Sequence, residues 1–177
     1  KATVPAGATT GSIVVTTPGG TATSPSPFTV GPKVTSFAPM SGPTGAVVTI
    51  NGNGFHGTPT VTFGGTPSPS VTNVTPTSLK AVVPNGVSGG VIEVTTSDGS
   101  NTTSTVFRVT FAASALTPAS GTVGATITIT GVGLLQTTGV KFGNATADFQ
   151  ILSDTQISAI VPPGAASGPI TLTNGTS

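Results

Sequence analysis

His56, in NGNGFHGTP, is the only imidazole in the sequence, and four carboxylates, Glu93, Asp98, Asp148 and Asp154, are its only acidic side chains. Cysteine, tyrosine and tryptophan are absent. Catalysis needs titratable groups set against one another, or a metal held between them. Glycoside hydrolysis takes two carboxylates facing each other across a cleft, and no two of these acids recur together where the sequence repeats. Calcium takes about six to eight oxygens from densely acidic loops, and no such loop exists. His56 therefore reads as an exposed loop residue after Phe55. Asp98 and Asp154 read as turn residues whose side chains cap their own backbone. The expectation is a non-enzymatic chain with no catalytic residue, no metal site and no cofactor.

Other motifs point the same way. The two Gly-x-Gly strings, Gly52–Gly54 and Gly131–Gly133, lack the strand-to-helix setting of nucleotide sites and read as turns. Lys1, Lys33, Lys80, Arg108 and Lys141 are scattered singly, and the net charge is +1. Nucleic acid and anionic membrane need clustered cations, so neither is an expected partner. Lys1 and Lys80 share a repeat position, and each reads as an edge-strand lysine that discourages aggregation; a cross-link to an Asn or Asp is the alternative. Asn73, Asn101, Asn144 and Asn174 each open an Asn-x-Ser/Thr sequon and are candidate glycosylation sites. Threonine makes up about a fifth of the chain, falls mostly at outward strand positions, and could carry O-linked sugar.

The elements that hold these residues follow from an internal repeat. PMSGPTGAVVTINGNGF, Pro39 to Phe55, has a near copy 79 positions on in PASGTVGATITITGVGL, Pro118 to Leu134. At the same offset Lys1–Val30 lies over Lys80–Val109 without a gap, identical at 14 of 30 positions. Among these are Ile13/Ile92, Phe28/Phe107 and Val30/Val109. A third copy, SAIVPPGAASGPITL, begins at Ser158. The chain thus holds the back part of one unit (1–30), one whole unit (32–109) and a third unit lacking its last strand (112–177). This predicts either an excerpt of a longer array or units completed by strands of a neighbouring subunit.

With only 5% charged residues, a chain of low hydrophobicity would be disordered, but mean hydropathy is +0.33 and Val, Ile and Thr recur with period two. In AVVTING the alternation turns Val48 and Ile50 inward, and in ATITITG it turns Ile127 and Ile129 inward. Phe63, Ile92, Phe107 and Phe142 complete the expected core. SGPTG reads as a turn, Gly64–Gly65 as another, and Asp98–Gly99 as a hairpin. Pro5, Pro84 and Pro162 each close a strand, where a missing N–H does least harm. About seven short strands per unit, with no helical stretch, predict an all-β protein of tandem antiparallel β-sandwiches. No apolar run approaches the roughly 20 residues of a membrane helix.

SFAPMSGPTGAVVTINGNGF, VTFGG, LKAVVPNGVSGGVIEVTTSDG and VFRV, in this order and at these distances, resemble the IPT/TIG family of immunoglobulin-like domains. The resemblance covers essentially the whole chain. It implies a module found in tandem stalks of bacterial or archaeal surface proteins, as an accessory to carbohydrate-active enzymes, in plexin-type receptors and in Rel-type transcription factors. The cysteine-rich segments that accompany the receptors, and the basic loops of the transcription factors, are absent here. The expected location is therefore extracellular, at the cell surface.

Two roles are open. One is a structural repeat acting as stalk, adhesin shaft or filament subunit, with neighbouring copies or same-chain domains as partners. The other is an accessory module that binds carbohydrate or a host surface protein. Stacking on sugar usually uses exposed Trp or Tyr, and all eight aromatics here are Phe.

Overall fold

The computed structural model describes residues 1–5 and 7–174. The last three residues of the expected third unit, including Thr176 of the Asn174 sequon, lie outside them. The chain divides into two compact units. One is built from Lys1–Met40, Val47–Val83 and Gly90–Phe107; the other is built from Ser41–Ala46, Pro84–Gly89 and Arg108–Ser177.

Every regular element among the described residues is a strand except one short 3-10 turn, Leu134–Gln136. The opening segment forms a hairpin of β1 (Gly11–Thr17) and β2 (Gly20–Phe28). The middle repeat begins with β3 (Lys33–Ala38), β4 (Ser41–Gly42), β5 (Val47–Asn53), β6 (Thr60–Phe63) and β7 (Thr66–Pro67). It continues with β8 (Val71–Thr72), β9 (Ser78–Val82), β10 (Gly89–Thr96) and β11 (Gly99–Val109). The third repeat contributes β12 (Ala112–Thr117), β13 (Thr126–Val132), β14 (Thr137–Phe142), β15 (Ala145–Thr146), β16 (Phe149–Ser153), β17 (Gln156–Ile160) and β18 (Ile170–Asn174).

In the middle repeat the strands form two sheets, ordered β3-β5-β9-β8 and β4-β11-β10-β6-β7. This is the two-layer arrangement of an immunoglobulin-like sandwich. In β5 burial alternates as the sequence does: Val48 and Ile50 are wholly buried, whereas Val47 and Asn51 face out. Phe63, Ile92 and Phe107 are also fully buried. The Phe107 ring meets Phe63 edge-on at 5.4 Å and Phe37 at 6.4 Å, so β11 closes the core between the layers. In the third repeat Ile129 is fully buried, Ile127 is 3% exposed and Phe142 9% exposed. Its sheets are β12-β13-β17-β16 and β15-β14-β18.

Two sequence expectations need correction. SGPTG is not wholly a turn. Ser41 and Gly42 are extended and pair in parallel with Arg108 and Val109, because the closing strand has an unpaired edge that they satisfy; the reversal comes at Pro43–Ala46, where Ala46 N–H bonds the Pro43 carbonyl at 3.2 Å. Nor are the Gly-x-Gly strings simply turns. Gly52 and Gly131 lie inside β5 and β13, where the partner strand's register shifts and its backbone crowds in. A side chain there would collide with the carbonyl of Lys33 or of Ala112. Gly54 and Gly133 follow with φ of +73° and +71°, a left-handed conformation that favours glycine.

Candidate functional site

The chain's only histidine meets an acid. His56 follows the left-handed Gly54, and Asp98 sits in the two-residue turn between β10 and β11. His56 Nε2 lies 3.0 Å from Asp98 Oδ2, with side chains 23% and 18% exposed. A carboxylate acceptor at that nitrogen places the proton on Nε2. The same carboxylate oxygen accepts a hydrogen bond from the Thr10 hydroxyl. Thr10 Oγ1 in turn accepts the Val30 N–H at 2.9 Å, and the Val30 carbonyl lies 3.4 Å from His56 Nε2. These contacts close a ring of four residues.

This corrects two readings of the sequence. His56 is a partly buried, paired residue and not an exposed loop histidine. Asp98 does not cap its own turn, because the Thr96 hydroxyl already does so, accepting the Asp98 N–H at 3.2 Å, which leaves the carboxylate free to reach elsewhere. Asp154 behaves alike. Ser153 Oγ accepts the Thr155 N–H at 3.1 Å, while the Asp154 carboxylate takes the Thr44 hydroxyl and the Leu135 N–H, the latter at 3.4 Å. Beside it, Gln136 Nε2 donates to the Val87 carbonyl at 2.8 Å.

The chemistry open to the His56 ring is structural. The Thr10 hydroxyl donates to the Asp98 carboxylate and not to a base that would raise its nucleophilicity, and no second acid faces the His56–Asp98 pair. Glu93 lies half-buried in β10 and Asp148 is exposed after β15. Among the described residues no group of three or more His, Cys, Asp or Glu side chains could hold a metal ion. Thr10, 88 positions from Asp98, is the residue that sequence reasoning missed. A signal was available in that His56 and Asp98 are both unique to the middle repeat, with Leu135 and Gly19 at the matching positions.

The sequon asparagines are not equivalent. Asn73 is exposed with φ of +50°, and Asn144 is exposed in the turn after β14. Asn101 is half-buried, and its Oδ1 accepts the Val34 N–H at 2.8 Å. Asn174 is half-buried at the end of β18. Lys80 is exposed on β9, opposite Thr49 and Thr72.

One concavity stands out in the third repeat. A crevice of about 260 Å³ opens between its layers, lined by Leu116, Ile127, Phe142, Val161 and Ile170, with Ser120 and Gly121 on its rim. Ser167 lines it as well, and no charged side chain does.

The sequence matches the IPT/TIG domain family over residues 32–111 and 113–177. No curated protein matches the chain. Among solved structures, a Bacteroides thetaiotaomicron protein named as a phosphatase is similar at 28% identity and TM-score 0.43, over 46% of this chain and 19% of that one. The plexin A4 extracellular region is similar at 19% identity and TM-score 0.44, over 88% of this chain and 15% of that one. A surface glycan-binding protein of Prevotella bryantii is similar at 17% identity and TM-score 0.49, over 81% of this chain and 40% of that one. The chain spans less than a fifth of the first two, and likenesses at this level say nothing of what it binds.

Proposed function

Because this chain belongs to the IPT/TIG domain family, we propose that it is a non-catalytic structural repeat of an extracellular surface protein, acting as a stalk, adhesin shaft or filament subunit. The observation that carries the reading is the use made of the few polar groups capable of chemistry. His56, Asp98 and Thr10 are consumed in tying the opening segment to the middle repeat, and Asp154 is consumed in holding Thr44. Groups spent on fastening one piece of chain to another are not available to a substrate.

Two further features support it. Only four residues separate β2 from β3, and two separate β11 from β12, too few for a flexible tether. Stability in such an array is a sum of unit and interface terms. A chain with 5% charged residues has little repulsion between copies to oppose lateral packing.

Immunogold labelling of intact source cells with antibody to this chain, paired with glycan-array screening of the purified chain, tests the proposal. Label on the cell exterior with no specific glycan signal is the expected result. Label confined to the interior would contradict it. Glycan binding abolished by substitutions in the loops would replace it with the binding-module reading.

A further inference from the structure

The first and last strands of the middle repeat run side by side. Gly31 passes so near the Asp98 carbonyl oxygen that a Cβ there would lie 3.2 Å from it. Val34 N–H donates to Asn101 Oδ1 at 2.8 Å. Ser41 and Gly42 pair in parallel with Arg108 and Val109, and Thr110 N–H donates to the Gly42 carbonyl at 3.0 Å. The same separation of 67 residues relates Gly31 to Asp98, Val34 to Asn101, Ser41 to Arg108 and Gly42 to Val109. One register therefore holds along β3 and β4, and both run in the direction of β11. Two fastenings mark the seam: the Asn101 amide at its start and the β4 pairing at its end. Between them lies a crevice of about 120 Å³, walled by Phe37, Met40 and Thr103.

This arrangement matters because of where the chain enters and leaves. It enters the repeat at Lys33, beside the Asn101 fastening, and leaves after Val109, at the β4 fastening. Tension along the chain thus pulls the two strands in opposite directions along their own length. In a parallel pair loaded this way the bonds across the seam share the load and fail together. Bonds loaded from one end fail one at a time. While the seam holds, β5 to β10 lie outside the path of the force. The connections on either side, four residues before β3 and two after β11, are too short to absorb tension by stretching.

We propose a further function for this seam: it is the load-bearing clasp of the repeat and sets the force at which the domain opens. The proposal rests on the stalk reading, since only a chain under tension has use for a clasp. It gives the pairing of Ser41 and Gly42 with β11 a role beyond satisfying a strand edge. It also gives the Asn101 amide, which holds the Val34 N–H, a mechanical role. Forced opening is governed by the rate of unfolding, so contacts that must break before the rest of the sandwich is loaded count for more than their share of the total stability.

The absence of cysteine lets handles for single-molecule pulling be attached at chosen points of the full chain. Lys33→Cys with Ala112→Cys pulls along the seam, and Lys33→Cys with Ser100→Cys pulls its first end open. All three positions are exposed, and chemical denaturation checks that each variant folds. Held at one constant force, the first pair should stay folded longer than the second, a comparison that needs no destabilising substitution. Thr110→Pro removes the N–H that bonds the Gly42 carbonyl. It should shorten the first lifetime about fivefold, the effect of one lost hydrogen bond, and leave the second unchanged, because peeling starts at the other fastening. A first lifetime no longer than the second, indifference of the first to Thr110→Pro, or an equal loss in both would each overturn the proposal. Any of these leaves a surface-exposed stalk in place, whereas an interior location retires the stalk reading and leaves the lifetimes, which belong to the fold, as measured.

Discussion

At the scale of single residues, Asp98 serves His56 and the Thr10 hydroxyl with one carboxylate oxygen. Replacing it with alanine leaves a partly buried imidazole and a hydroxyl unpaired. Hydrogen bonds to a charged group are worth more than neutral ones, less what solvent already screens, so Asp98→Ala should cost about 1 kcal/mol. Chemical denaturation reads this directly. A double-mutant cycle with Thr10→Val should show non-additivity, and strict additivity would mean that the two side chains do not interact. The sequon asparagines sort by the same reasoning. In a host with N-glycosylation machinery, glycopeptide mass spectrometry should find sugar on Asn73 and Asn144 and none on Asn101, whose amide oxygen is engaged by Val34 N–H. Little of this was legible in the sequence. A turn signal fixes where Asp98 sits, but which partner its side chain reaches depends on chain segments far away, and nothing local encodes that.

At the scale of strands the sequence spoke more clearly. The alternation in β5 reports directly which side chains face inward, since period two is the geometry of the strand itself. What it did not report is the pairing of Ser41–Gly42 with Arg108–Val109. Two residues beside a proline carry too little pattern to separate a strand from a turn, and their extended form is imposed by β11. The value of that strand can be measured. Phe107→Ala should cost roughly 3–5 kcal/mol, as buried Phe truncations do, while Phe28→Ala, at the matching but exposed position, should cost the dilute chain little. Equal losses at the two positions would contradict the burial difference. Gly131→Ala tests the close approach of β12 to β13. With the Ala112 carbonyl in the way, a loss of about 2 kcal/mol is expected, against almost none for Gly11→Ala, where nothing lies within 4 Å.

At the scale of the whole molecule, one design is written more than once, and the copies explain one another. A repeat whose core is shared between two layers is legible from period, turn chemistry and β-branched alternation together, each consistent with the others. Function is less legible because this module achieves its ends with backbone and aliphatic packing, leaving few side chains whose chemistry would betray a partner. The repeats are here taken to bear load and spacing, with their scarce polar groups used as fasteners. Electron microscopy of the native material bears on that claim most directly. Rods or fibres built from regularly spaced beads are the predicted result; isolated monomers that bend freely between domains would contradict it.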